Sequence, residues 1–222
     1  MFSGARIAFW SRAARGSGLL VWALCLLFFA GCVGPRGAGR VDRNVVYGQA
    51  GKKKLVMDLY FPAHGTGPFP VIVNLHGGAW AQGTKSIGTS WLAAPELLRR
   101  GYAFVSIYYR LAPRHRFPAQ IEDAKCAVRF LRAHAAEYNL DPDRIVAMGS
   151  SAGGHLAALL GTTDASAGFD TSGGWTNETS RVQAVVDMFG PADLVYAMEH
   201  RERLRFLASV VFGDKTDEAS LR

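Results

Sequence analysis

Val146–Leu160 reads VAMGSSAGGHLAALL. An apolar run, DRIVAMG (Asp143–Gly149), leads into it and a helical stretch follows, so the segment reads strand, tight turn, helix. At the turn, GSSAG (Gly149–Gly153) fits G-x-S-x-G with Ser151 in the central position. Such a turn holds its serine strained and exposed, and glycines two residues to either side leave room for neighbouring backbone. Ser150 then points into the packing between sheet and helix. The helix N-terminus faces Ser151, where the Ala152 N–H can stabilise an oxyanion. The pentapeptide alone says little in a chain with 25 glycines. Its strand–turn–helix setting is what gives it weight.

Working outward, strand-like and helical runs alternate. RNVVYG (43–48) and KKLVMDLYFP (53–62) read as an opening antiparallel pair, the second alternating at Leu55, Met57, Leu59 and Phe61. PVIVNLH (Pro70–His76), YAFVSIYY (Tyr102–Tyr109) and RVQAVVDMFG (181–190) are short apolar runs, as expected of strands buried on both faces. Between them Ile121, Ala124, Val128, Leu131 and Ala135 recur at three- and four-residue spacing, one face of a helix. The expected fold is α/β: a mainly parallel sheet covered by helices on both faces, over residues 44–222.

A second motif, NLHGGAW (Asn74–Trp80), follows the PVIVNLH strand. Consecutive glycines let a loop present bare N–H groups to a developing negative charge. His76 leads that loop and reads as its anchor rather than as a base. His155, one turn into the helix behind Ser151, reads as a packing residue.

HGGAW, YRLAP (Tyr109–Pro113), FPAQIEDA (Phe117–Ala124), LDPDRI and GSSAGGHLA occur in this order. Together they resemble the α/β-hydrolases, and within them the hormone-sensitive-lipase-like esterases and the bacterial acetylxylan/feruloyl esterase type. The resemblance covers roughly Val45 to Phe212. It implies a serine ester hydrolase with Ser151 as nucleophile. Its oxyanion hole would be built from the N–H groups of Gly78, Ala79 and Ala152, with Gly77 a further candidate. It also implies that Asp123 and Asp143 brace loops near the site. Ala79 departs from the commoner third glycine, which an N–H donor tolerates. No cofactor and no metal are implied.

The same fold orders its triad Ser, then Asp or Glu, then His, on loops after later strands. By resemblance both partners fall past Arg222, so the last edge strands, the acid and the base are expected to be missing. A compact triad of Asp187 or Asp193 with His200 is disfavoured, because His200 lies in an amphipathic stretch (Ala192–Gly213) with Leu194, Met198, Leu204, Leu207 and Val211 on its buried side. Asp193 reads instead as that helix's N-cap.

Residues 1–32 read as an export signal. Arg6, Arg12 and Arg15 precede LLVWALCLLFFAG (Leu19–Gly31), a run too short for the ~20 residues that span a bilayer. FFAGC resembles a bacterial lipobox with Cys32 as the lipidation site, although Phe29 stands where leucine is usual and ordinary cleavage is the alternative. The expected location is therefore outside the cytoplasm, on a membrane through Cys32. Residues 33–43 read as a linker. The whole chain has 25 Lys+Arg, 18 Asp+Glu and a net charge of +7, three of those arginines lying in the signal. The remaining basic residues are scattered without aromatic interleaving, which does not suggest a nucleic-acid partner. Past Cys32 the only cysteine is Cys126, so no intrachain disulfide can form there.

The linker cannot form a packed cap, and the loop 164–180 is polar and glycine-rich with only Phe169 and Trp175 as large apolar residues. The expected site is open and shallow, suited to short acyl groups or to esters on a carrier such as a polysaccharide. A non-catalytic binding lipoprotein, or a peptidase or arylformamidase on the same fold, are the competing readings.

Overall fold

The computed structural model describes residues 35–86, 88–200 and 209–213. The export segment and Cys32 lie outside them, as do Leu204 and Leu207. Among the described residues no helix is long and apolar enough to cross a membrane.

Six strands form one sheet: β1 (Ala38–Ala50), β2 (Lys53–Pro62), β3 (Phe69–Leu75), β4 (Ala103–Ile107), β5 (Leu140–Ser150) and β6 (Ala184–Met188). Their order is β1-β2-β4-β3-β5-β6. β1 pairs antiparallel with β2 and β2 with β4, whereas β4, β3, β5 and β6 run parallel. The helices are α1 (Ala94–Arg99), α2 (Ala119–Ala133), the single turn α3 (Ala135–Tyr138), α4 (Ala152–Thr162) and α5 (Leu194–His200). Residues 209–212 are helical as well.

Alternation along each strand sends side chains to two cores. Leu55, Met57, Leu59, Val71, Val73, Leu75, Val105 and Ile107 meet α2 and α4 on one face. Tyr60, Ile72, Phe104 and Met148 meet α1 on the other. The expected alternation of β2 holds, but Asp58 on its opposite face is also buried, accepting from Lys85 Nζ at 2.6 Å and from the Asn44 N–H at 2.8 Å.

Three expectations need correction. β1 starts at Ala38, so half of the supposed linker 33–43 is strand, paired as far as Ala38 with Pro62. β6 is not buried on both faces; it is the outer strand of the described sheet, with Val185 and Val186 exposed. Asp143 is exposed near the start of β5, roughly 20 Å of extended chain from Ser150. It cannot brace a loop near the site.

Candidate active site

The strand β5 delivers its C-terminus directly to α4, and Ser151 sits between them with φ 55° and ψ −123°. A serine rarely adopts a left-handed φ, and the surroundings enforce it. The Ser151 N–H donates to the Met188 carbonyl on β6 at 2.9 Å. Behind it, α4 presses so closely on β3 that a Cβ on Gly153 would lie 2.1 Å from the Leu75 carbonyl oxygen. The two serines separate as their spacing predicts: Ser150 is 3% exposed, Ser151 lies on the surface. Ala152 opens α4, so its N–H has no acceptor one turn back along the helix.

The loop after β3 comes to the same place. A Cβ on Gly77 would sit 3.5 Å from Ser151 Cβ, so this backbone lies against the serine. The chain then turns tightly about the Gly78 carbonyl, which accepts from the N–H groups of both Ala81 and Gln82. That turn requires left-handed backbone in sequence, at Gly78 (φ 118°), Ala79 (φ 51°) and Trp80 (φ 57°). Among the described residues the N–H groups of Gly77, Gly78 and Ala79 have no recorded acceptor. The Trp80 carbonyl is tied to the Ala112 N–H in the YRLAP segment. That segment is fixed in turn by Asp123, whose carboxylate accepts from the Arg110 N–H (2.8 Å) and guanidinium (2.9 Å). Asp123 is therefore a loop brace. Burial raises its carboxyl, with the Arg110 contacts acting against that.

His76 is 1% exposed and stacks on Tyr109 at 4.1 Å. Its Nδ1–H donates to the Gly77 carbonyl at 2.7 Å, and the Tyr109 hydroxyl donates to the His76 carbonyl at 2.7 Å. Burial pushes the imidazole down to about 4, so it is neutral and structural. His155 packs edge-on against Trp80 at 5.3 Å and is likewise lowered to about 4 by burial, against a weaker raising effect of Asp187. From Trp80 a chain of aromatic contacts continues through Phe212 and Phe117 to Phe169.

His200 stacks on Tyr196 at 4.1 Å with Nδ1 against the Tyr196 carbonyl, and Asp187 accepts from the Gly190 N–H at 2.8 Å. Asp193 accepts from the Tyr196 N–H at 2.8 Å, as an N-cap does. The sequence contains six histidines, all of them described, and none is hydrogen-bonded to a carboxylate among the described residues. Among the described residues no group of three His, Cys, Asp or Glu is placed to hold a metal.

Two anchors escaped the sequence reading. Under the glycine loop, Asn74 Nδ2 donates to Ser106 Oγ (2.9 Å), which donates to the Lys85 carbonyl (2.6 Å). Under the loop 164–180, Lys125 and Arg129 of α2 are buried and both reach Asp170, at 3.0 and 2.8 Å. Two cations four residues apart, Lys125 and Arg129, beside the apolar positions Ala124, Ala127, Val128 and Leu131 of the same helix were the available signal.

The BD-FAE family model matches residues 57–221, about three-quarters of the chain. This chain belongs to the BD-FAE family. A BD-FAE chain with this strand order and helices on both faces has the α/β-hydrolase fold, and solved structures agree. A truncated carbohydrate esterase from gut microbiota is 32% identical, covering 85% of this chain and 68% of that one, with a TM-score of 0.67. Among curated relatives, a probable isoprenylcysteine α-carbonyl methylesterase of Arabidopsis thaliana is 34% identical over 184 residues, 82% of this BD-FAE chain and 37% of that protein. The probable carboxylic ester hydrolase LipM of Mycobacterium tuberculosis is 35% identical over 159 residues, 68% of this chain and 35% of that one. The chain spans about a third to a half of the length of the curated relatives it matches.

Proposed function

We propose that the protein is a serine carboxylic-ester hydrolase working through an acyl-enzyme. The observation that carries this reading is the strained Ser151 turn, closed against the bare backbone of Gly77. Similarity to a methylesterase, a carboxylic ester hydrolase and a carbohydrate esterase supports it. Ser151 Oγ attacks the ester carbonyl carbon as a histidine takes the hydroxyl proton. The carbonyl oxygen, now anionic, is received by the N–H groups of Ala152, Gly78 and Ala79, with Gly77 alongside. The intermediate collapses, the alcohol leaves with the proton returned by the histidine, and an acyl-serine remains. Water, deprotonated by the same histidine, then attacks the acyl carbon and frees the acid and Ser151. Each N–H donor aimed at the oxyanion is worth about 10²–10³ in kcat. Among the described residues no histidine is hydrogen-bonded to a carboxylate, and in our reading the base and its carboxylate lie on later strands of the full-length protein.

In the protein expressed from its full gene, Ser151→Ala abolishes turnover of a short-chain aryl ester and Ser150→Ala leaves most of it. A dead Ser150→Ala with an active Ser151→Ala refutes the assignment.

The preferred substrates under this reading are short-chain or carbohydrate-linked esters. The loop 164–180 is polar and glycine-rich, and its Trp175 is engaged edge-on with Phe130 and His134 and through its indole N–H with the Tyr47 carbonyl. Each methylene left in water forgoes about 0.8 kcal/mol, so kcat/KM on p-nitrophenyl esters falls beyond butyrate; a continued rise to decanoate contradicts an open site. We also propose export and lipidation at Cys32. A Cys32→Ser protein then moves to the soluble fraction, and wild type found soluble and unmodified overturns the anchor.

A further inference from the structure

Seven non-glycine residues among those described have a left-handed φ: Asn44, Ala79, Trp80, Asn139, Ser151, Trp175 and Phe189. Six are accounted for. Asparagine tolerates the region, and Asn139 also caps α3. Ala79 and Trp80 turn the glycine loop, and Ser151 is the turn between β5 and α4. Trp175 is held by its indole N–H on the Tyr47 carbonyl and by Phe130 and His134.

Phe189 has no such reason. Its φ is 50°, yet the residue is 69% exposed and its ring makes no aromatic contact among the described residues. The backbone geometry itself is imposed from both sides. Asp187 accepts from the Gly190 N–H at 2.8 Å, and Gly190 is pressed onto the start of α4, where a Cβ would lie 2.5 Å from the His155 nitrogen. A glycine or asparagine at 189 would meet that demand with less strain. A large aromatic residue is instead held in a costly conformation with its ring in solvent.

Its location gives the reason. The carbonyl bonded to the Phe189 nitrogen is that of Met188, the acceptor of the Ser151 N–H. Phe189 is thus one peptide unit from the serine's own backbone contact. Bulky residues kept in sparsely populated backbone regions gather at ligand-binding positions, and an exposed flat apolar ring offers a stacking surface.

We infer that Phe189 is a substrate-binding residue whose ring stacks on a flat ring carried by the ester. This rests on the ester-hydrolase reading above. The ring can be aromatic or the apolar face of a pyranose, since both present a flat C–H or π surface of matching size.

The test uses the protein expressed from its full gene, wild type and Phe189→Gly, on three acetate esters: ethyl acetate, phenyl acetate and a singly O-acetylated methyl xyloside. Phe189→Gly is expected to lose about tenfold in kcat/KM on one or both ring-bearing esters, carried by KM. The loss on ethyl acetate, which carries no ring, is expected to be several-fold smaller, and the Tm equal to or above wild type. Loss on phenyl acetate alone identifies an aromatic ring, and loss on the xyloside alone a sugar. An equal loss on all three esters, no loss on any, or a Tm several degrees lower overturns the inference, the last showing a ring packed under other chain. Wild type that hydrolyses none of the three overturns the ester-hydrolase reading itself, a result distinct from any difference between the variants.

Discussion

The loop after β3 and the loop after α4 are held by different physics. Residues 76–83 are fixed by backbone: a neutral histidine bonded to the loop, a turn about one carbonyl, and contacts too close for a side chain. Residues 164–180 are fixed by charge, with Lys125 and Arg129 reaching up from α2 to Asp170 and to loop carbonyls. These contacts set the position of N–H donors to within a fraction of an ångström, which oxyanion stabilisation requires. The charged anchor holds a loop that needs only to stay down. It places two cations on one carboxylate out of water, where the desolvation cost is large.

The difference can be broken most severely from the backbone side. Gly153→Ala puts a methyl 2.1 Å from the Leu75 carbonyl oxygen, and no side chain can yield because the obstacle is main chain. The expected loss is about 3 kcal/mol or more, enough to abolish cooperative unfolding in a denaturant titration. A folded, wild-type-like Gly153→Ala would show that α4 does not seat on β3 as described.

Next in size is the charged anchor. Asp170→Asn leaves Lys125 and Arg129 without their carboxylate, and breaking a buried pair this way costs about 3 kcal/mol. Faster amide exchange should be confined to residues 164–180, and equal acceleration in 76–83 would show that the two loops are not independently held. Acid sharpens the same contrast. Burial raises the Asp170 carboxyl, but bonds from Ser180, Lys125 and Arg129 outweigh it and hold the group below its ordinary 3.8. A carboxyl depressed in the folded state contributes stability above its unfolded value and loses it as pH falls through the folded one. Protection of 164–180 should therefore fall only below pH 3.8, whereas in 76–83, where burial holds the His76 imidazole down at about 4, it should already fall as pH drops below the ordinary imidazole value of 6.5.

The smallest effect is expected at Ala79. Left-handed backbone costs an L-residue about 1–2 kcal/mol, whereas glycine costs about 0.5–1 kcal/mol in chain entropy, so strain relief wins narrowly. Ala79→Gly should raise stability by less than about 1 kcal/mol and keep activity, since the N–H remains. A clear destabilisation would mean that the Ala79 methyl packs on something the turn geometry does not reveal.

Legibility followed the same division. GSSAG and HGGAW could be read because backbone-held geometry leaves glycines in the sequence, and the two serines fell on opposite sides of the surface as their spacing required. The strand β2 was legible from Leu55, Met57, Leu59 and Phe61 because one of its faces is uniformly apolar. Charge-held parts were not. Lys125, Arg129 and Asp58 look like surface residues until their partners, tens of residues away, are brought to them. The β1 boundary was missed because Gly39, Arg40 and Asp42 carry no apolar alternation; their pairing is supplied by β2. Asp143 was placed by resemblance alone, and the strand that carries it points the other end at the site.

The central claim is that the strained turn makes Ser151 a nucleophile. Incubating the protein expressed from its full gene with a p-nitrophenyl phosphonate ester, then mapping the adduct by peptide mass spectrometry, tests it directly. The account predicts one phosphonyl group on Ser151, with stoichiometric release of p-nitrophenol. A label on Ser150, or no label at all, would contradict it.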